Sequence, residues 1–335
     1  MFYSGLLHLL IRFLKATKRN HVCLILFYHR FSQGQDAKKL LPFLDIKEFR
    51  KQLLHLKRHY RSISLDQLAD ELAGRNHFAS PSVVITIDDG YLNNYTLAYP
   101  VLKALGLSAI IYLTTGFIGT TKAPWVDDLM DMLFLTKVET LRFPELLGEK
   151  ILHISTRSQK RNAVKILFKV MLQLEHERKL LIMQTLSKSL GIEEICRNRA
   201  DRKMLNWNEV IEMSKNNLSF GAHTVSHPTL SKMELNEAKR EIYESKKEIK
   251  TRIGGKVMHF AIPNGKVEDF SDELKEYCKE IGLRTVASTE SGVVSKQSDL
   301  YFLKRINPPP PIYIFACELA RYMFLKRSSD IWSRS

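Results

Sequence analysis

Two adjacent carboxylates, Asp88 and Asp89, close the apolar run Val83-Val-Ile-Thr-Ile87, and two histidines, His223 and His227, follow further along the chain. Two neutral imidazoles and one carboxylate make a three-ligand site for a divalent cation, with a coordination position left for water. A cation in such a site lowers the pKa of water from about 15.7 to roughly 7 and so supplies a nucleophile at neutral pH. The second carboxylate then handles the remaining proton, a role that falls to Asp88. Either pair alone is unremarkable, since Asp-Asp-Gly is a turn sequence and His-x-x-x-His recurs on surfaces and in cores. Together, and each just beyond a strand-like run, they read as a metal hydrolase.

The elements that must hold these residues are legible from periodicity. Val83, Val84, Ile85 and Ile87 are β-branched and bounded by Pro81 and Gly90, as in a buried strand, which puts Asp88 and Asp89 at its C-terminal tip. Further strand-like runs cover residues 22–28, 108–115, 218–222, 258–263, 284–289 and 301–306, most of them separated by helical patterns such as 46–60 and 234–253. This alternation predicts a parallel sheet covered by helices. The candidate residues all fall at or just past strand C-termini, where barrel enzymes keep their chemistry.

At these motifs the chain resembles the polysaccharide deacetylases of the NodB-homology group, carbohydrate esterase family four, in the branch acting on exopolysaccharide or cell-envelope glycans. Thr86-Ile-Asp-Asp-Gly90 is similar to that family's first motif and His223-Thr-Val-Ser-His227-Pro228 to its second. Tyr28-His29-Arg30, Phe260-Ala-Ile-Pro-Asn-Gly265 and Leu303-Lys-Arg-Ile306 are weaker matches. The resemblance implies a distorted, incomplete (β/α) barrel, Asp88 as general base, Asp89, His223 and His227 as metal ligands, and the backbone amide of Asn264 as oxyanion donor. Zinc suits these ligands, and manganese, cobalt or nickel can occupy the same set. Two departures stand out. Ala261 occupies the place of a third-motif arginine that orients the base, with Arg305 as the candidate substitute. Leu303-Lys304-Arg305 stands where a Leu-x-His would supply the general acid, and arginine cannot donate a proton near neutral pH. His29, directly after the first strand, is the candidate acid.

The expected activity is removal of an N-acetyl or other small acyl group from an amino sugar of a polysaccharide, an envelope glycan or a lipid-linked precursor. The alternatives are a catalytically silent glycan-binding relative and, less favoured, a nucleic-acid-binding protein. The formal net charge of +15 attracts anions, but no zinc finger, helix-turn-helix or aromatic RNA-binding motif accompanies it, so no nucleic-acid partner is expected.

The remaining segments divide the chain into an amphipathic N-terminal helix over 1–21, barrel segments over 22–124 and 205–325, a helical insertion over 125–204 without a convincing strand, and a tail over 326–335. Leu6, Leu10, Phe13 and Leu14 can share one face of the first helix while Arg12, Lys15 and Arg19 share another, the pattern of an interfacial helix. Residues 150–203 carry thirteen Lys or Arg against five Asp or Glu. Both features predict peripheral contact with an anionic membrane. Cys23, Cys196, Cys278 and Cys317 show no pairing pattern, which fits reduced thiols and a cytoplasmic location, peripheral to the inner face of the membrane.

Overall fold

The structure is a computed structural model that describes residues 22–34, 43–76, 78, 81–192 and 203–324. The N-terminal helix read over 1–21, the tail over 326–335 and Cys196 lie outside the described residues.

In chain order the elements are β1 (Val22–Tyr28), β2 (Phe31–Ser32), β3 (Leu44–Asp45), α1 (Ile46–His59), β4 (Arg61–Ser62), α2 (Leu65–Leu72), β5 (Ser82–Ile87), α3 (Tyr99–Leu105) and β6 (Ala109–Leu113). Then come α4 (Trp125–Leu135), β7 (Thr140–Arg142), α5 (Pro144–Leu147), β8 (Ile151–His153), α6 (Arg157–Met171) and α7 (His176–Ser189). The second half holds α8 (Trp207–Ser214), β9 (Leu218–Ala222), α9 (Leu235–Ile253), β10 (His259–Ala261), α10 (Asp272–Glu280), β11 (Thr285–Ser291), β12 (Val294–Ser295), β13 (Leu303–Arg305) and α11 (Ile312–Phe324).

The main sheet runs β12-β1-β5-β6-β9-β10-β11-β13, with β4 paired to β5. All its pairings are parallel except β1 with β12. Ile306, just past β13, exchanges backbone hydrogen bonds with β1: Phe27 N donates to Ile306 O at 3.1 Å and Ile306 N to Ile25 O at 2.8 Å. The sheet is thereby nearly closed into the expected (β/α) barrel.

Side chains along a strand alternate between its two faces, and here each face has its own core. Leu24 and Leu26 of β1, Val83, Ile85 and Ile87 of β5, and Ile111 and Leu113 of β6 point outward to helices, among Phe49, Leu53, Leu102 and Ile242. Cys23, Ile25, Val84, Ile110, Tyr112, Ala261, Ala287 and Leu303 fill the barrel, plugged by Leu65, Leu68 and Phe78. The strands therefore read as continuous apolar runs because both their faces are buried. On the inward face the sequence turns polar toward the C-terminal end, with Val84 followed by Thr86 and Asp88, and Leu303 by Arg305. Arg305 is completely buried for this reason of parity, and Lys304 between them is exposed.

The insertion departs from its reading as all-helical. Thr140–Arg142 and Ile151–His153 form a small antiparallel pair, β7 with β8. Three-residue strands are too short for a period-two pattern to register. α4, α6 and α7 close over this hairpin around a separate apolar cluster that includes Leu129, Leu133, Leu141, Phe143, Leu152, Leu167, Met171, Leu186 and Leu190.

Candidate active site

Asp88 and Asp89 leave β5, His29 follows β1, His223 follows β9, Asn264 lies beyond β10 and Arg305 ends β13. All six occupy one end of the barrel.

Asp88 is 1% exposed, and Arg305 grips it as a two-pronged fork, Nη1 to Oδ1 and Nη2 to Oδ2, both at 2.8 Å. The guanidinium is itself held by Nε donating to Ser288 O at 2.6 Å and Nη1 donating to Thr86 Oγ1 at 3.0 Å, and it lies 4.7 Å from the Phe27 ring centre. Burial is the largest single influence and would raise the Asp88 carboxyl, but Arg305, His29 and His223 together outweigh it and hold that carboxyl below the usual aspartate range. His29, 44% exposed at its side chain, places Nε2 at 3.8 Å from Asp88 Oδ2.

Asp89 faces a different set of partners. Its Oδ1 lies 3.4 Å from His223 Nε2 and 3.4 Å from His227 Nε2, and it is buried without a hydrogen-bond partner. Burial opposes ionisation of Asp89, yet the two imidazoles and His29 hold its carboxyl far below the ordinary value. His223 Nδ1 lies 2.7 Å from Ala261 O, an arrangement that assigns the proton to Nδ1 and leaves the Nε2 lone pair for the site. Burial opposes protonation of His223 as well, but Asp89 and Asp88 lift its pKa above the usual imidazole value; burial pushes His227 down to about 4.

This group passes a test as a metal centre. Asp89, His223 and His227 each offer one ligand atom, all within 4.8 Å of one another. A tetrahedron with bonds of about 2.1 Å has edges of about 3.4 Å, which is the observed spacing of both imidazole nitrogens from Asp89 Oδ1. The orphaned carboxylate oxygen, buried and flanked by two nitrogens, is the kind of atom a cation would satisfy.

The backbone is strained where these groups meet. Asp89, Thr224, His227 and Asn264 have φ of 75°, 65°, 56° and 62°, and among the described non-glycine residues only Asn217 joins them with positive φ. For a β-branched residue such as Thr224 this region is costly and persists only when neighbours enforce it. The enforcing contacts are visible. Glu241 Oε2, from α9, accepts from Val225 N at 2.7 Å and Ser226 N at 2.9 Å, and its Oε1 accepts from Ser226 Oγ at 2.8 Å. Thr224 Oγ1 accepts from His227 N at 3.0 Å. Gly116 N donates to Val225 O at 2.8 Å, and a Cβ on Gly116 would come within 2.6 Å of that oxygen.

Asn264 connects to this group through Thr229, two residues beyond His227: its Nδ2 donates to Thr229 Oγ1 at 3.1 Å. Its carbonyl accepts from Thr289 Oγ1. The Asn264 backbone N–H has no acceptor among the described residues. Gly265 is required beside it, since at φ of 65° an added Cβ would meet Thr289 N at 2.5 Å.

A second polar cluster abuts the site, and sequence reasoning passed over it, as it did Glu241. Asp127, 1% exposed on α4, accepts from Arg30 Nη1 and from Tyr91 Oη, the latter at 2.7 Å. Burial raises its carboxyl above the usual range, with Arg30 opposing. Tyr91 directly follows Asp-Asp-Gly, so the start of the insertion is anchored to the motif segment. The end of the insertion is anchored there too, because Leu92 N donates to Lys203 O at 2.8 Å and Leu205 N to Gly90 O at 2.9 Å. Asp127 carried no motif signal, and Glu241 sits in a helix already rich in glutamate.

Comparisons with known proteins agree with this architecture. The family model described as Polysaccharide deacetylase matches residues 175–286, a span that includes both histidines and Asn264. The Bacillus subtilis (strain 168) protein YxkH, named for polysaccharide deacetylase, is 33% identical over 96 residues, covering 28% of this chain and 33% of its own. The chain thus aligns with about a third of that relative's length. Among solved structures, the Streptococcus pyogenes deacetylase PplD in complex with acetate superposes with a TM-score of 0.60 at 18% identity, over 90% of this chain and 98% of its own. IcaB from Ammonifex degensii superposes with a TM-score of 0.57 at 18% identity, over 91% and 97%. At such identities the superpositions speak to the fold.

Proposed function

We propose that the chain is a polysaccharide deacetylase of the NodB-homology group that hydrolyses the amide of an N-acetyl or other small N-acyl group on an amino sugar. The substrate is a polysaccharide, an envelope glycan or a lipid-linked precursor of one. The observation that carries this reading is the division between the two aspartates: Asp88 is locked by Arg305 at 2.8 Å, while Asp89 shares its Oδ1 with two imidazoles at 3.4 Å.

Asp89, His223 and His227 hold a divalent cation, with zinc the favoured occupant and manganese, cobalt or nickel compatible with the same ligands. When bound, it supplies Lewis-acid polarisation of the acyl carbonyl and of water. Asp88 accepts a proton from the attacking water as the new carbon–oxygen bond forms. Its depressed pKa keeps it ionised, and the Arg305 fork fixes the direction of its lone pairs. The Asn264 N–H donates to the oxygen on which negative charge develops. His29 Nε2, close to Asp88 and reachable from solvent, delivers a proton to the departing amine as the carbon–nitrogen bond breaks. The products are a carboxylate and the free amino sugar.

The test is to incubate the purified protein with a panel of N-acylated glucosamine oligosaccharides and to detect released acid and new primary amine together. Acid release that requires Asp88 supports the reading. Saturable oligosaccharide binding without release would return the chain to the silent glycan-binding class.

A further inference from the structure

α6 carries Arg157, Arg161, Lys165 and Lys169 at four-residue intervals, all exposed, and the helix contains no Asp or Glu. Its opposite face, with Ala163, Val164, Leu167 and Met171, is buried in the insertion's core. Residues four apart on a helix are neighbours, so the ladder sets like charges side by side over about 18 Å. The solvated helix α9 shows the usual alternative: Lys247 pairs with Glu244 at 3.2 Å and Arg252 with Glu248 at 2.8 Å. Lys165 and Lys169 have no ion-pair partner among the described residues.

Apolar side chains stand exposed beside the start of this ladder. Phe134 is 47% and Leu135 43% exposed at the C-terminal end of α4, and Ile151 on β8 is 40% exposed. Lys160, in the first turns of α6, donates from Nζ to the carbonyls of Phe134 at 3.3 Å and Thr136 at 2.8 Å, which pins the apolar tip against the cationic helix. The surrounding segment is strongly basic, with thirteen Lys or Arg against five Asp or Glu over residues 150–203.

We propose that this face of the insertion docks on an anionic phospholipid bilayer, with the α6 ladder over the headgroups and Phe134 and Leu135 entering the interface. A soluble anionic glycan would satisfy the cations but leave the apolar tip in water, whereas a bilayer surface takes up both. No helix among the described residues is long and apolar enough to cross a membrane, so the contact is peripheral. Because the insertion is tied to Gly90–Leu92 at its end through the backbone and near its start through the Tyr91–Asp127 bond, docking would hold that end of the barrel in a fixed relation to the membrane.

The experiment is co-sedimentation of the full chain with vesicles of phosphatidylcholine alone and of phosphatidylcholine with one-third phosphatidylglycerol, at low and raised salt. The expected result is binding to the anionic vesicles that falls as salt rises, and a loss of more than about thirtyfold in partitioning for Lys165→Glu/Lys169→Glu. Phe134→Ser/Leu135→Ser is expected to weaken binding while leaving its salt dependence. Unchanged thermal midpoints and unchanged turnover of a soluble substrate verify that the variants fold. The milder Lys165→Gln/Lys169→Gln, expected to lose less, keeps the test readable if the charge reversal perturbs the helix. Equal binding by parent and charge-reversed protein overturns the proposal, as does equal binding to neutral vesicles. Retention on a soluble polyanion such as heparin with none on anionic vesicles overturns it in favour of an anionic glycan.

Discussion

Asp88 and Asp89 are adjacent in the chain and opposite in environment, and the difference fixes what each substitution should do. Asp88→Asn keeps the shape but presents an amide to Arg305, so metal content should survive while turnover falls on the order of a hundredfold or more. Asp89→Asn should lose the metal first, as should His223→Ala combined with His227→Ala. Elemental analysis alongside acid release separates these outcomes, and the reverse pattern would exchange the two roles. Arg305 acts through Asp88, so Arg305→Lys, which keeps the charge but loses the fork, should lower kcat with little change in KM. Arg305→Ala leaves a carboxylate buried at 1% exposure without its partner, and removing one member of a buried pair costs about 3–5 kcal/mol; chemical denaturation measures it. That Asp89, His223 and His227 come together was readable from residue types and motif. The fork was not, because it joins residues 217 positions apart and exists only once the barrel has closed.

Elements were read well where a pattern is long and poorly where it is short. The boundaries of β1 and β9 match the apolar runs, because strands buried on both faces advertise themselves. The helical reading of the insertion did not mark where the chain breaks into α6 and α7, around Leu172–Glu175. β7 and β8 gave no signal at all. Glu241 shows an element acting as a brace, since α9 uses it to hold the strained loop that carries both histidines. Glu241→Gln removes the charge and one strong acceptor, and loss of such supporting contacts typically lowers metal affinity by about 10–100-fold. Competition with a chelator reads this directly, and unchanged affinity would sink the assignment. The α1–α11 contact makes a pH prediction. Burial beside Phe315, with ring centres 6.0 Å apart, pushes the His55 imidazole down to about 4 from 6.5. A lowered folded value means that stability is fully present above about 6.5 and drains away as pH falls toward 4. After discounting for partial exposure the loss is about 2 kcal/mol. Thermal midpoints should decline over that window and decline less in His55→Leu.

At the scale of the whole molecule, the alternation of strands and helices was enough to anticipate a barrel, and motif placement was enough to anticipate which end gathers the motif residues. What composition could not convey is that the chain encloses more than one interior. The barrel has a core on each face of its sheet, and the insertion has its own, centred on residues such as Leu133, Leu167 and Leu186. Apolar contacts closed upon themselves let a region open as a cooperative unit below the global free energy. The amides of α6 and α7 should therefore exchange with deuterium together, faster than those of β1 and β5, and a barrel-like rate across 157–189 would show the two to be one unit. Because one root of that unit is hydrogen-bonded to Gly90–Leu92 through the backbone and the other through Tyr91 Oη and Asp127, its opening would slacken the segment next to Asp88 and Asp89. Catalytic competence would then be lost at temperatures where the barrel is still folded, so inactivation would precede denaturation.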